Sequence, residues 1–277
     1  MNANGNFKSN WQTGFGVTWN PYEVSNNALR GTSSIRRPPG IGSFWYLTSD
    51  YRKKFYANLN TSAAWGFDHT VKSYNVSLSV TLQPINALRL SLGSDYSYYW
   101  RRQDQFVNNN VFNDDYRTVV SEVSQQTLRF TGRLTYNITP DLTLQYYGQP
   151  YITRPLYSSF GYVSSPMAKK YNDRFYVYSS DQITSNNGTY FIDENRDGTP
   201  DYSFAKPDFN FVQFRSNLVL RWEYKPGSEL YLVWSQSNTP DVSDDLETPI
   251  FKSLFDNIFA EQARNIFLIK VTYRFLR

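Results

Sequence analysis

One stretch, Leu88 to Trp100, constrains the fold more than any other. Leu88, Leu90, Leu92, Tyr96, Tyr98 and Trp100 share one phase of a two-residue repeat, and Arg89, Ser91, Gly93, Asp95 and Ser97 share the other. Successive side chains of a strand point to opposite faces, so this is a strand with one apolar and one polar side. It is more than twice as long as the ~5–6 residues usual in soluble sheets. Its apolar side is aliphatic at one end and aromatic at the other. A strand crossing lipid needs roughly nine to eleven residues and carries aromatic rings at headgroup level. The pattern therefore predicts a membrane-spanning strand.

The aromatic content points the same way. Tyr, Phe and Trp number 23, 20 and 7, or 18% of 277 residues. A soluble core would struggle to hide so many rings, whereas a barrel places them in interfacial girdles. With a mean hydropathy of −0.57 and no apolar run of about eighteen residues, transmembrane helices are excluded and a spanning barrel is not. Cysteine is absent, which removes disulfides, thiol nucleophiles and thiolate metal sites. The net charge of +4 is spread along the chain and leaves no nucleic-acid footprint. Residues 1–20 lack the basic, apolar, small-residue order of a signal peptide. A barrel must be exported, so the numbering is expected to start within a mature or longer chain.

About ten long alternating segments follow one another. Their apolar sides run through Trp11–Trp19, a strand near 42–49, Phe55–Trp65, Tyr74–Leu82, Leu88–Trp100, Leu128–Tyr136, Leu142–Tyr146, Phe214–Tyr224, Leu230–Trp234 and Phe267–Phe275. Short turns fall near 50, 84, 140 and 226, and long loops near 20–41, 101–124, 153–208 and 238–264, with one tight exception at 67. Outer-membrane barrels alternate in this way, with short periplasmic turns and long outer loops. The parity makes the strand count even and puts both chain ends in the periplasm. Arg89, Asp95, Arg129, Arg133, Arg215, Arg221, Glu223, Lys270 and Arg274 fall on the polar side. They are too costly to face lipid and are expected to pair inside the lumen.

Several stretches resemble one family. They are Leu29-Arg30-Gly31 through Arg36-Arg37-Pro38-Pro39-Gly40, Tyr147-Gly148-Gln149-Pro150, Phe214-Arg215-Ser216-Asn217, Leu220-Arg221-Trp222-Glu223-Tyr224-Lys225-Pro226-Gly227-Ser228, Leu232-Val233-Trp234 and Asn265-Ile266-Phe267-Leu268-Ile269-Lys270-Val271. Together they look like the C-terminal part of the domain of unknown function 5916 family. The resemblance implies an outer-membrane β-barrel protein of Bacteroidota, often preceded by a family 9-type carbohydrate-binding β-sandwich. It implies that further barrel strands and that sandwich lie outside this chain. It supplies no catalytic residues.

Asp193-Glu194-Asn195-Arg196-Asp197-Gly198-Thr199-Pro200-Asp201 is the sharpest chemical motif. Oxygen ligands at alternate positions and a glycine at the bend resemble a calcium loop. Asp193, Asn195, Asp197 and Asp201 would give side chains and Thr199 a carbonyl. The usual twelfth-position Glu is Phe204. An Asx-rich turn uses the same residues without metal. His69, the one histidine, sits beside Asp68 with no nucleophile elbow near it. Asp244, Asp245 and Glu247 precede a helix expected over Leu246–Ala260, where acids favour the N-terminal end; no spacing marks a glycosidase pair. Arg36-Arg37 reads as a solvated loop or a contact for lipopolysaccharide phosphate or a partner.

The expectation is one all-β domain over 1–277, an antiparallel transmembrane β-barrel of about ten strands. It is expected to be non-enzymatic, in the outer membrane of a Gram-negative bacterium, displaying long loops. Its expected partners are outer-membrane lipid and an envelope protein, with a small-molecule or glycan ligand left open and nucleic acid excluded; calcium is the one candidate cofactor. Two rival functions remain open. One is a pore for oligosaccharide or peptide uptake, the other a surface hydrolase acting on carbohydrate.

Overall fold

The computed structural model describes residues 1–242 and 245–275. It is an antiparallel meander: β1 (Asn2–Asn6), β2 (Gln12–Asn20), β3 (Gly40–Thr48), β4 (Phe55–Gly66), β5 (Val71–Ile85), β6 (Leu88–Phe112), β7 (Asp115–Thr139), β8 (Leu142–Val163), β9 (Phe211–Lys225), β10 (Ser228–Asn238) and β11 (Arg264–Val271). Each strand pairs with the next, so sequence order is spatial order. All ten expected segments fall on β2 to β11. The extra strand, β1, carries Asn2, Asn4 and Asn6 and has no apolar phase to announce it.

The sheet does not close. Among the described residues, β1 and β11 are the two free edges of an open all-β antiparallel sheet, and the ring of a ten-strand barrel is not closed within them. Antiparallel ladders hold each neighbouring pair in register, but among the described residues no first-to-last ladder joins Gln12–Asn20 or Asn2–Asn6 to Arg264–Val271.

Two expected loops are strands. β6 and β7 continue through 101–124 and turn only at Asn113 and Asp114, both at positive φ. β8 likewise runs to Val163. These extensions lack clean alternation because loop segments cover them, as at Val119, Val120 and Val123, all buried. The remainder of the long 153–208 interruption folds into short strands Phe175–Val177, Ile183–Asn186, Thr189–Ile192 and Tyr202–Ala205. The 20–41 loop closes on itself through Glu23–Ser25 and Ile35–Arg37. Helix α1 (Ile250–Asn257) starts after Pro249, later than expected, and ends before Ala260.

Side-chain direction follows the register. Leu82, Leu90, Leu134, Tyr146, Leu218, Trp234 and Phe267 form one hydrogen-bonded row across seven strands on the apolar side. Among the described residues no second sheet covers this row. The buried clusters lie toward the long-loop end, where the short strands and α1 pack on β7, β8 and β9. Leu92 is 70% exposed and Ile269 71%. On the opposite side Gly14 and Gly16 leave room for the rings of Tyr46 and Phe44; a Cβ at Gly16 would stand 2.3 Å from the Phe44 ring. Gly227, at φ +75 after Pro226, makes the tight turn into β10.

Candidate functional site

The polar side of the sheet is wired between adjacent strands. Arg129 Nη2 stands 3.1 Å from Asp95 directly opposite it. Arg133 lies over the Tyr147 ring at 4.8 Å, and Lys270 over Tyr231 at 5.6 Å, each again a direct cross-strand partner. Arg221 Nε donates to Glu229 at 2.9 Å, and its Nη2 lies 3.4 Å from Glu223. These groups are satisfied along the sheet, one strand to the next. The expected pairing across an interior is replaced by this local wiring.

The 193–201 segment links Thr189–Ile192 to Tyr202–Ala205, and its alternation has a clear geometry. Asp193, Asn195 and Asp197 turn toward the loop. The Asp193 carboxylate accepts from the backbone N–H of Asp197 at 3.1 Å and of Gly198 at 2.8 Å. Asp197 accepts from the Thr199 N–H at 2.8 Å, the main cause holding its carboxyl below the usual range. Asp201 accepts from the Glu194 N–H at 2.7 Å. Asn195 Nδ2 reaches Asp197 at 3.1 Å and Asp201 at 3.4 Å. Thr199 takes part through its backbone N–H. Gly198 takes φ +89, where a side chain would be strained.

Glu194, the residue between, turns inward. Its carboxylate accepts from Arg117 Nε at 3.0 Å and from the Tyr202 hydroxyl at 2.6 Å. Tyr178 and Tyr202 hydroxyls sit 2.8 Å apart. Burial, first of all, raises the Tyr202 phenol far above its ordinary value. Arg117 comes from β7, so this network fastens the 193–201 loop to the sheet.

A second polar cluster was invisible in the sequence. Arg101 Nη1 donates to Asp104 at 2.8 Å, and Arg37 Nε stands 3.6 Å from the same carboxylate. Burial pushes the Asp104 carboxyl above its usual range in spite of both arginines. The cluster depends on an irregularity between Arg101 and Gln105, where Gln103 takes φ +56. It borders a cavity of about 210 Å³ with Pro38, Pro39, Trp65 and Thr70. Arg37 is thus partnered inside the protein, as it also reaches Glu23 at 3.8 Å. Arg36 lies over the Tyr22 ring at 4.5 Å, and its carbonyl accepts from the buried Arg174.

His69 lies in a short 3₁₀ turn, Phe67–His69, with φ +51. Asp245 is held by the α1 segment, where a bond to Ser253 keeps its carboxyl below the usual range. Asp244 lies outside the described residues. Among the described residues no three of His, Cys, Asp and Glu gather as a metal-binding group, so His69 and the acids of 245–247 are not assembled together with a further ligand.

No curated protein and no solved structure matches the chain. A family model covers residues 1–276, and the chain belongs to the family of the domain of unknown function DUF5916.

Proposed function

We propose that this chain is wall material of an outer-membrane β-barrel that displays its long connections on the outer surface, without catalysis. One observation carries the reading. A single-layer sheet leaves an aliphatic band open to its surroundings, and aromatic residues bound that band at both ends. On β5 the band runs through Val76, Leu78 and Leu82, with Tyr74 at the long-loop end. On β4, Phe55 and Trp65 stand at opposite ends of the strand. Trp222 and Tyr224 mark the short-turn end of β9, and on the far side of the sheet Trp19 of β2 stands 5.3 Å from Phe67 at the long-loop end. In water such a face would be an aggregation surface; in lipid it is the wall.

The free edges follow from the same physics. Lipid cannot satisfy the N–H and C=O groups of β1 and β11, so a spanning sheet requires partner strands there. Further chain or a second copy would complete the wall. The test is extraction. Membranes of cells expressing the full-length protein, washed with alkaline carbonate, should retain it until detergent is added. Release by carbonate alone would remove the reading.

A second reading concerns 193–201. The Asn195 amide stands between the Asp197 and Asp201 carboxylates, at 3.1 and 3.4 Å, where a cation sharing both oxygens would sit. We propose that calcium draws Asp193, Asn195, Asp197, Thr199 and Asp201 together there as ligands, the three carboxylates not being gathered as a metal-binding group without it. Calorimetric titration should give heat that Asp197→Asn abolishes. No heat would leave a plain Asx-rich turn.

A further inference from the structure

Helix α1 lies on the apolar side of the sheet, not over its polar side. Leu254 and Ile258 are buried against Leu128 of β7, Ile152 of β8, and Val212 and Phe214 of β9. The connection between β10 and β11 therefore reaches back across two strands over the face described above as the wall.

The helix crosses the strands, from Phe130 of β7 at Phe251 and Phe255 to Phe214 of β9 at Phe259, so its two flanks face opposite strand ends. Arg154, two residues farther from the short Thr139–Leu142 turn than Ile152, donates to the carbonyls of Leu246 at 3.1 Å and Thr248 at 2.6 Å. Asn210, just before β9, donates to the Asp245 carbonyl at 2.8 Å and to Ser253 Oγ at 3.0 Å. The Ser253 flank thus points toward the long-loop end. The opposite flank carries Phe251 and Phe255, four residues apart and on one side of the helix. Both meet Phe130, at 6.2 and 5.8 Å between ring centroids, and Phe130 lies two residues nearer the short turn than Leu128. Phe259 continues the flank against Phe214 at 5.4 Å.

These phenylalanines are packed on one side only. Phe251 is 59% exposed, Phe255 48% and Phe259 67%. Lys252 and Asp256, an exposed ion pair, occupy the outward side next to them. Phe130 stands roughly nine residues of strand from Thr139, about 30 Å along the strand or about 23 Å of height at a ~40° tilt. That is close to the top of an apolar band ~25 Å tall.

We infer that α1 is an interfacial helix clamped to the outer wall, with Phe251, Phe255 and Phe259 inserted into the outer leaflet beside the barrel. The occupant of this unpartnered flank is the lipid surface. Through half-buried Phe130 the flank is continuous with the exposed face at Leu92, it points toward the band, and the adjoining charges face away, as an amphipathic helix in a membrane surface requires. The inference rests on the membrane-wall reading.

The chain has no cysteine, so single cysteines can be introduced and labelled with an environment-sensitive dye. The full-length protein is reconstituted into phosphatidylcholine vesicles with bromine placed shallow or deep in the acyl chains. Leu92→Cys reports the wall, Phe255→Cys the flank and Asp256→Cys the outward side. Expected are quenching at Leu92 and at Phe255, stronger with shallow bromine for Phe255, and little at Asp256. Quenching at Leu92 with none at Phe255 overturns the inference and leaves the wall standing. Absence of quenching at all three sites overturns both.

Discussion

Asp95 and Arg129 face each other across the β6–β7 ladder, with 3.1 Å between Arg129 Nη2 and the Asp95 carboxylate. Ser77 on β5 adds a hydroxyl donor to Asp95 at 3.2 Å. The pair is partly open, at 46% and 31% side-chain exposure, so screening limits its worth to about 0.2–1 kcal/mol. A double-mutant cycle of Asp95→Asn and Arg129→Gln, read by denaturant unfolding in detergent, should give a coupling in that range that shrinks with salt. Coupling above about 2 kcal/mol would mean that the polar side is far drier than described.

The Glu194 network predicts a local failure. Glu194→Ala leaves Arg117, between Phe112 and Tyr162, with only the exposed Asp115 carboxylate at 3.8 Å, at a cost of about 1.5–3 kcal/mol. Limited proteolysis should cut within 178–205 in this variant while β2 to β6 stay protected. Unchanged cleavage would show that the short strands hold without Glu194.

Gly161 predicts a strand displacement. A Cβ there would stand 2.1 Å from the Tyr176 carbonyl oxygen, a backbone atom that cannot swing aside. Gly161→Ala should detach Phe175–Val177 from β8 and cost about 1–3 kcal/mol. Amide exchange at Tyr176 and Val177 should accelerate; unchanged protection contradicts the geometry.

Asp245 gives a pH dependence. Its carboxyl is held below the ordinary 3.8, first by Ser253, so the folded state favours the charged form. That stabilisation is complete above the unfolded value and is lost as pH falls through the lower folded one. Exchange of the α1 amides, corrected for intrinsic rates, should rise as pH drops below about 3.8. Asp245→Asn should abolish that rise. A rise beginning near neutrality would point to another group.

What the sequence disclosed follows from where alternation survives. Ten strands were legible because one face of each is apolar and the other polar, and that difference writes a period of two into Leu88–Trp100 and its neighbours. β1 was illegible because Asn2, Asn4 and Asn6 give no apolar phase. The 101–112 and 115–124 extensions were read as a loop because covering segments touch them on the side that elsewhere is open, so Val119 and Val120 are both buried though they alternate faces. The Asp193–Asp201 motif was found by spacing, but the inward role of Glu194 needed the position of Arg117, 77 residues away. The Arg37–Arg101–Asp104 cluster rests on a bulge at Gln103 that nothing in the local sequence marks.

The most direct test of the membrane wall is nitroxide scanning along β6 in bilayers, one cysteine at a time from Leu88 to Trp100, comparing collisions with oxygen and with a water-soluble nickel complex. Positions 88, 90, 92, 96 and 98 should be oxygen-accessible and nickel-poor, and positions 89, 91, 93, 95 and 97 the reverse, in strict alternation. A strand whose two phases give the same ratio, or whose Leu90 and Leu92 meet nickel freely, would contradict the account.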